Sequence, residues 1–258
     1  MNLIHTTFLT PLQKQDIHLL EFSCKQAEPL SLSAPTEDGL DYFLFYQDSR
    51  LAGMLYLFFS EPVLCECSGF VLPDLRRQGI FSRLLECMTD FLEHLEDKTG
   101  EDIECCFLCD EAAPSAKSLL KALECELWYS EYKMECSLRA PYFFPCSAKE
   151  PTVSDSHPPL RLIQKDPDTF AAFLEDTEIG ICQLHVRENH VYFYGFEIYK
   201  PYRKQGYGKQ FLQEIMLRFS RHGYERMVLQ VSGTNLPALS LYQKTGFYIT
   251  ETLSYYWY

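Results

Sequence analysis

The sequence predicts two α/β domains in tandem, each built on a mixed sheet of α+β type, the second shorter than the first. Three observations carry this. The second half reads as ββ(β)αβαβ from its apolar periodicities. The first half repeats that order, and an offset of 127 residues sets Arg76 on Arg203, Gly79 on Gly206, Leu85 on Leu212 and Met88 on Ile215. Between them lies PYFFPCSAKEPTVSDSHPP, whose prolines remove backbone donors and forbid helix. The resulting division is 1–145, a Pro/Ser-rich linker at 146–159, and 160–258.

In the second half, residues 170–174 and 179–187 flank EDTE and read as a hairpin. Residues 191–198, VYFYGFEI, are β-branched and aromatic and read as a strand. After YKPYRKQGYG, the apolar positions Phe211, Leu212, Ile215, Met216 and Phe219 recur at helical spacing, and Gly223 ends the helix. Residues 227–231 are the next strand, a short helix stops at Gly246, and YITETLSYYWY is a strand pair or one bent strand. In the first half, residues 11–27 read as a helix, 42–46, 51–59 and 63–71 as strands, and PDLRRQGIF as the lead into a second helix. A strand at 103–108, a helix at 114–123 and a strand at 128–138 follow.

Composition narrows the function. The formal net charge is −13, from 23 Lys and Arg against 36 Asp and Glu, and residues 1–150 carry the whole excess. An acidic surface disfavours nucleic acid and anionic lipid as partners and favours cations. No run approaches the ~18–20 apolar residues of a bilayer span, and the N-terminus lacks a basic segment followed by an apolar run. Eleven cysteines, an odd number set in apolar or helical runs, read as reduced core residues, which points to the cytoplasm. Cys105, Cys106 and Cys109 read as one core strand; with no second ligand pair at suitable spacing, no metal is expected.

The segment that carries chemistry is the loop RKQGYG between a strand and a helix. Backbone N–H groups at a helix start lack intrahelical partners, and the helix dipole stands behind them. Glycines at 206 and 208 let an anion approach the backbone, and Lys200, Arg203, Lys204 and Lys209 surround it with positive charge. The arrangement suits a pyrophosphate. IYKPYRKQGYGKQFL resembles the acyl-CoA signature of the GNAT acetyltransferase superfamily, Arg/Gln-x-x-Gly-x-Gly/Ala after a strand, filled here by Arg203, Gly206 and Gly208. The superfamily's second motif, Asn-x-x-Ala-x-x-x-Tyr-x-Lys-x-Gly-Phe, is matched by Asn235, Ala238, Tyr242, Lys244, Gly246 and Phe247. The resemblance is close over 160–258 and loose over 1–140.

That resemblance implies roles. Gln205, Gly206, Tyr207, Gly208 and Lys209, with Arg203 and Lys204, would bind the pyrophosphate of acetyl-CoA or another short acyl-CoA. The strand ending in Phe196, Glu197 and Ile198 would pair with the pantetheine arm and splay from 227–231. Asn235 would sit beside the arm. Tyr242 would face the sulfur as general acid and Glu197 would serve as general base. A backbone N–H near Ile198 would stabilise the oxyanion. Tyr255, Tyr256, Trp257 and Tyr258 either line a substrate pocket or pack on the sheet. His185, His190 and His222 read as surface histidines. The first domain departs from the pattern: Phe81 replaces the second glycine, and Ala113, Leu120 and Glu124 replace the Asn, Tyr and Gly of the second motif, so it reads as a degenerate copy. The second domain has no room for the helices that usually follow the first strand, which places the expected acceptor site at the junction of the domains, with acidity there favouring a cationic amine.

The leading reading is an N-acetyltransferase moving an acyl group from CoA to a primary amine by direct attack. The alternatives are a non-catalytic acyl-CoA sensor or interaction protein of the same fold, and a tandem transferase with another donor. The acceptor and the oligomeric state stay open at this level.

Overall fold

The structure, a computed structural model, describes residues 2–139 and 158–258. All but the last two residues of the linker read at 146–159 lie outside the described residues. The chain forms two compact units, of which the first is not a single stretch of sequence. Unit 1 comprises Met1–Ser130 and Glu251–Tyr258; unit 2 comprises Glu131–Thr250.

Unit 1 runs β1 (Asn2–Thr6), α1 (Pro11–Ala27), β2 (Asp41–Gln47), β3 (Arg50–Glu61), β4 (Leu64–Val71), α2 (Ile80–Thr99), β5 (Glu104–Asp110), α3 (Pro114–Ala122) and the start of β6 (Glu126–Ser137). Helix α1 starts where Thr10 and Gln13 form a reciprocal capping box and Pro11 fills the first turn. Its Ile17, Leu20 and Cys24 are buried against Tyr42, Leu44, Met54 and Tyr56 on one sheet face. On the other face, Ile80, Leu84, Leu85 and Met88 of α2 pack on Phe43, Leu55 and Cys65. Strand β1 escaped the sequence reading: five residues with an irregular burial pattern give too short a period.

Unit 2 runs from the rest of β6 through β7 (Arg161–Gln164), β8 (Thr169–Leu174), β9 (Thr177–Arg187), β10 (His190–Ile198), α4 (Tyr207–Arg221), β11 (Arg226–Ser232) and α5 (Leu236–Lys244) into β12 (Tyr248–Trp257). Phe211, Leu212, Ile215 and Met216 of α4 are buried with Leu239 and Tyr242 of α5 against one face of the sheet. Each contributes roughly 1.5–3 kcal/mol by burial.

Each unit is closed by a strand from the other half of the sequence. In unit 1, β12 pairs antiparallel with β5 from Leu253↔Asp110 to Trp257↔Cys106. In unit 2, β6 pairs antiparallel with β11 from Arg226↔Ser137 to Ser232↔Glu131. The tail is therefore one strand, and its aromatics pack on unit 1. Trp257 stacks on Trp128, Tyr255 on Tyr129, and the Tyr256 hydroxyl donates to Glu111 at 2.7 Å. None of them lines the cleft of unit 2 described below. Cys105, Cys106 and Cys109 lie buried in β5, and burial helps push all three thiols up. Among the described residues, no helix is long and apolar enough to cross a membrane.

Candidate active site

Strands β10 and β11 run parallel and pair only from His190↔Arg226 to Tyr192↔Val228, then part. The parting opens a cleft of ≈ 970 Å³ within unit 2. A bulge makes the departure sharper. Opposite β9 the register of β10 slips between Tyr194 and Glu197, and Gly195 takes a left-handed φ of 57°. Bulges turn a strand away from its partner and aim its amides elsewhere. The glycine inside VYFYGFEI was the available signal for it.

The loop at the mouth of α4 is tied down by side chains. Arg203 Nε donates to the Ile198 carbonyl at 2.6 Å, and its Nη2 donates to Glu197 Oε1 at 2.7 Å. Gln205 Nε2 donates to the Pro201 carbonyl at 2.8 Å. Lys204 and Gly206 have left-handed φ of 61° and 85°. The first recorded bonds back into the helix run from Lys209 and Gln210 to the Gly206 carbonyl. The amides ahead of them lie at the helix mouth, where an anion is favoured by both dipole and geometry. Lys200, Lys204 and Lys209 are exposed around it.

Gly208 faces the cleft. A Cβ there would stand 3.6 Å from Ile198 and Leu241 side chains, an ordinary contact, so the fold itself does not demand glycine. Its absence of side chain leaves room for something else, as close approach of a phosphate requires. Phe196, Glu197, Ile198, Arg203, Lys204, Gly208, Asn235 and Tyr242 all line the one cleft, joined by Tyr194, Gly195, Gln230 and Ser232, which sequence reasoning missed. Gln205, Gly206, Tyr207 and Lys209 form the adjoining turn but are not among the lining residues, and the Tyr207 ring is core.

Two expected residues have structural partners. Glu197 is held by Arg203, with both side chains about half exposed. Asn235 is the N-cap of α5, its Oδ1 accepting from the Ala238 amide at 3.3 Å. Asn235→Ala is expected to lower stability by about 1 kcal/mol, read as a drop in thermal midpoint. Tyr242 is 7% exposed and packs its ring on Phe193 and Phe247. Its hydroxyl has no hydrogen-bond partner among the described residues, yet it borders the cleft. Burial, with Cys182 nearby, pushes its pKa up to about 12.

Unit 1 repeats the framework and fills the site. At the same offset of 127, Arg76 Nε donates to the Val71 carbonyl, Gln78 Nε2 to the Asp74 carbonyl, and Arg77 and Gly79 take left-handed φ. Glu124, which an offset of 122 in the second motif sets on Gly246, is also left-handed, at 57°. There the likeness ends. Phe81, in place of Gly208, lies with Cε2 3.1 Å from where a Cβ on Gly69 would stand. The slip between Tyr194 and Glu197 has no counterpart at Ser68 and Gly69, which pair in register with Tyr56 and Leu55. The carboxylate of Glu28 bridges the loop and the start of α3: Oε2 accepts from Arg76 Nη1 at 2.8 Å and from Ser115 Oγ at 2.7 Å, and Oε1 accepts from the Ser115 amide at 3.0 Å. Burial raises its pKa, but Ser115 and Arg76 outweigh that and hold it below the usual range. Asp110 ties the following segment down through Ser31 and the Leu32 amide. Unit 1 thus sets a carboxylate of its own between Arg76 and the start of α3.

The family profile described as "Acetyltransferase (GNAT) family" matches residues 128–247. A protein of Bacillus subtilis (strain 168) called "Uncharacterized N-acetyltransferase YycN" is 32% identical over 79 residues, 29% of this chain and 51% of that protein. The chain thus matches about half the length of that relative. A GCN5-related N-acetyltransferase from Sphaerobacter thermophilus has the same fold across 99% of this chain and 95% of its own, at 14% identity and a TM-score of 0.72. A tandem GNAT protein from the clavulanic acid biosynthesis pathway covers 100% and 98%, at 12% identity and a TM-score of 0.63. Residues 128–247 thus match the GNAT acetyltransferase family, and the whole chain shares the fold of GNAT structures, one of them a tandem protein.

Proposed function

We propose that unit 2 transfers an acyl group, acetyl in the first instance, from CoA to a primary amine by direct attack. The observation that carries this is one cleft between parting parallel strands, with a helix mouth at one end and, on its wall, a tyrosine whose ring is buried and whose hydroxyl has no hydrogen-bond partner among the described residues. When bound, an acyl-CoA supplies an activated thioester. The amides before Lys209 and the bare Gly208 receive its diphosphate; the edge of β10 beyond Tyr192 offers backbone groups to its arm. The register slip at Gly195 leaves backbone amides of β10 out of the pairing with β9, and these would be the donors for an oxyanion.

The amine nitrogen forms the new C–N bond and the C–S bond breaks. One proton leaves the nitrogen to water or to Glu197, and Tyr242 passes its hydroxyl proton to the departing sulfur. Net, the nitrogen loses one proton and the sulfur gains one. Glu197 can take that proton only by loosening from Arg203, so water carries most of this traffic in our reading. Holding amine and thioester together supplies much of the remaining acceleration.

The test is thiol release from acetyl-CoA across a panel of primary amines, beside calorimetry of acetyl-CoA binding. The expected stoichiometry is close to one equivalent per chain, because Glu28 and Phe81 fill the counterpart site in unit 1. Binding without thiol release from any amine would favour a sensor; two equivalents would contradict the closed site in unit 1.

A further inference from the structure

The two units share a strand register that exposes a difference between them. In unit 1, Tyr42 pairs with Tyr56 and Leu44 with Met54. At the offset of 127 these become Thr169 with Gln183 and Ala171 with Ile181 in unit 2. In unit 1 all four residues are buried beneath α1. In unit 2, β7 ends at Gln164 and β8 begins at Thr169, so no helix stands between them. Thr169 and Ala171 are buried, whereas nearer the cleft Gln183, which pairs with Tyr194 across β9 and β10, is exposed, and Tyr194 is 46% exposed.

Gln183 also meets the bulge. Its Oε1 lies 3.0 Å from where a Cβ on Gly195 would stand, so the carboxamide overhangs the glycine at which β10 turns away. No hydrogen-bond partner for that side chain occurs among the described residues. The opposite face of the sheet is filled by α4 and α5, with Tyr242 on that side. Among the described residues, the exposed side beside Gln183 and Tyr194 is thus the open approach for an attacking nitrogen.

We propose that Gln183 is the acceptor-positioning residue: its Oε1 accepts a hydrogen bond from the attacking amine, and Tyr194 supports the carbon next to that nitrogen. The residue that packs under a helix in unit 1, Tyr56, has become a polar substrate contact in unit 2. The fit is to a primary amine carried on an apolar or aromatic-compatible body, since the shelf presents an amide oxygen and the ring of Tyr194. This inference rests on the acyl-transfer reading of the same cleft.

The test uses the full chain, acetyl-CoA and whichever of phenethylamine, 1,4-diaminobutane and a free-N-terminus tripeptide it acetylates fastest. Gln183→Met keeps the bulk and removes the acceptor; it should raise KM for the amine about fivefold to tenfold, the worth of one hydrogen bond, with KM for acetyl-CoA unchanged. Gln183→Glu restores an oxygen acceptor and should return KM for the amine towards that of the unaltered chain. An unaltered chain that turns over, with an amine KM unmoved in Gln183→Met, overturns this inference and leaves the acyl-transfer reading standing. An unaltered chain that neither binds acetyl-CoA nor releases thiol overturns both.

Discussion

Replacing Tyr242 by phenylalanine lowers kcat by about 10²–10⁴-fold, the usual worth of a positioned proton donor, and leaves the dissociation constant for acetyl-CoA unchanged. The substitution isolates chemistry from packing. The ring stays against Phe193 and Phe247, and the hydroxyl it removes bonds to nothing in the described protein. Losing an unpartnered polar group from a 7% exposed side chain does not cost stability and can add to it. A fall in kcat with an undiminished thermal midpoint therefore assigns the proton to Tyr242; an unchanged kcat removes it from the mechanism. The pH behaviour has a defined sign. Burial raises the folded pKa from 10.0 to about 12, so the phenol is protonated throughout the working range and can act as an acid. The folded state holds this proton more tightly than the unfolded state, so the associated stability is full below pH 10 and is lost as pH rises through about 12. The phenylalanine variant lacks that alkaline loss.

Tyr242 was legible in the sequence because local spacing decides it. A tyrosine seven residues after a helix-capping asparagine must lie on the face that Ala238 and Leu241 also approach, and that face meets the sheet. The loop was legible for the same reason: Arg203, Gly206 and Gly208 act within one turn of chain. Its arginine, though, acts differently from the expectation. A guanidinium beside a phosphate loop reads as an anion ligand, but Arg203 donates to Ile198 and Glu197 and fixes the turn to the end of β10. Arg76 does the same to Val71 in a unit whose site is closed, which marks the contact as part of the framework. What the sequence concealed was non-local. Nothing near Leu253 says that it will pair with Asp110, and nothing near Glu131 says that it will pair with Ser232. An antiparallel strand carries its burial pattern and not the address of its neighbour. Glu28 was hidden likewise, since its contacts to Arg76 and Ser115 cross 48 and 87 residues of chain.

Gly208→Phe weakens acetyl-CoA binding on the order of 100-fold, roughly 2.7 kcal/mol. The substitution writes into unit 2 the residue that unit 1 carries at Phe81, so the two units provide a control for each other. At Gly208 the first carbon of any side chain meets Ile198 and Leu241 at 3.6 Å, a distance the fold accepts. A ring beyond that carbon has to lie in the cleft, in the space the diphosphate and the first part of the arm would take, much as the Phe81 ring reaches Gly69 and Phe107. Gly208→Ala is the graded case: it keeps the fold and sets a methyl against the approaching phosphate, and its affinity should fall between the other two. The reciprocal change, Phe81→Gly, should not create a second site, because Glu28 still holds Arg76 and the Ser115 amide in unit 1. Calorimetry on these variants orders the contributions. If Gly208→Phe binds as the unaltered chain does, the diphosphate is not seated at this helix mouth, and the donor must enter the cleft by some other end.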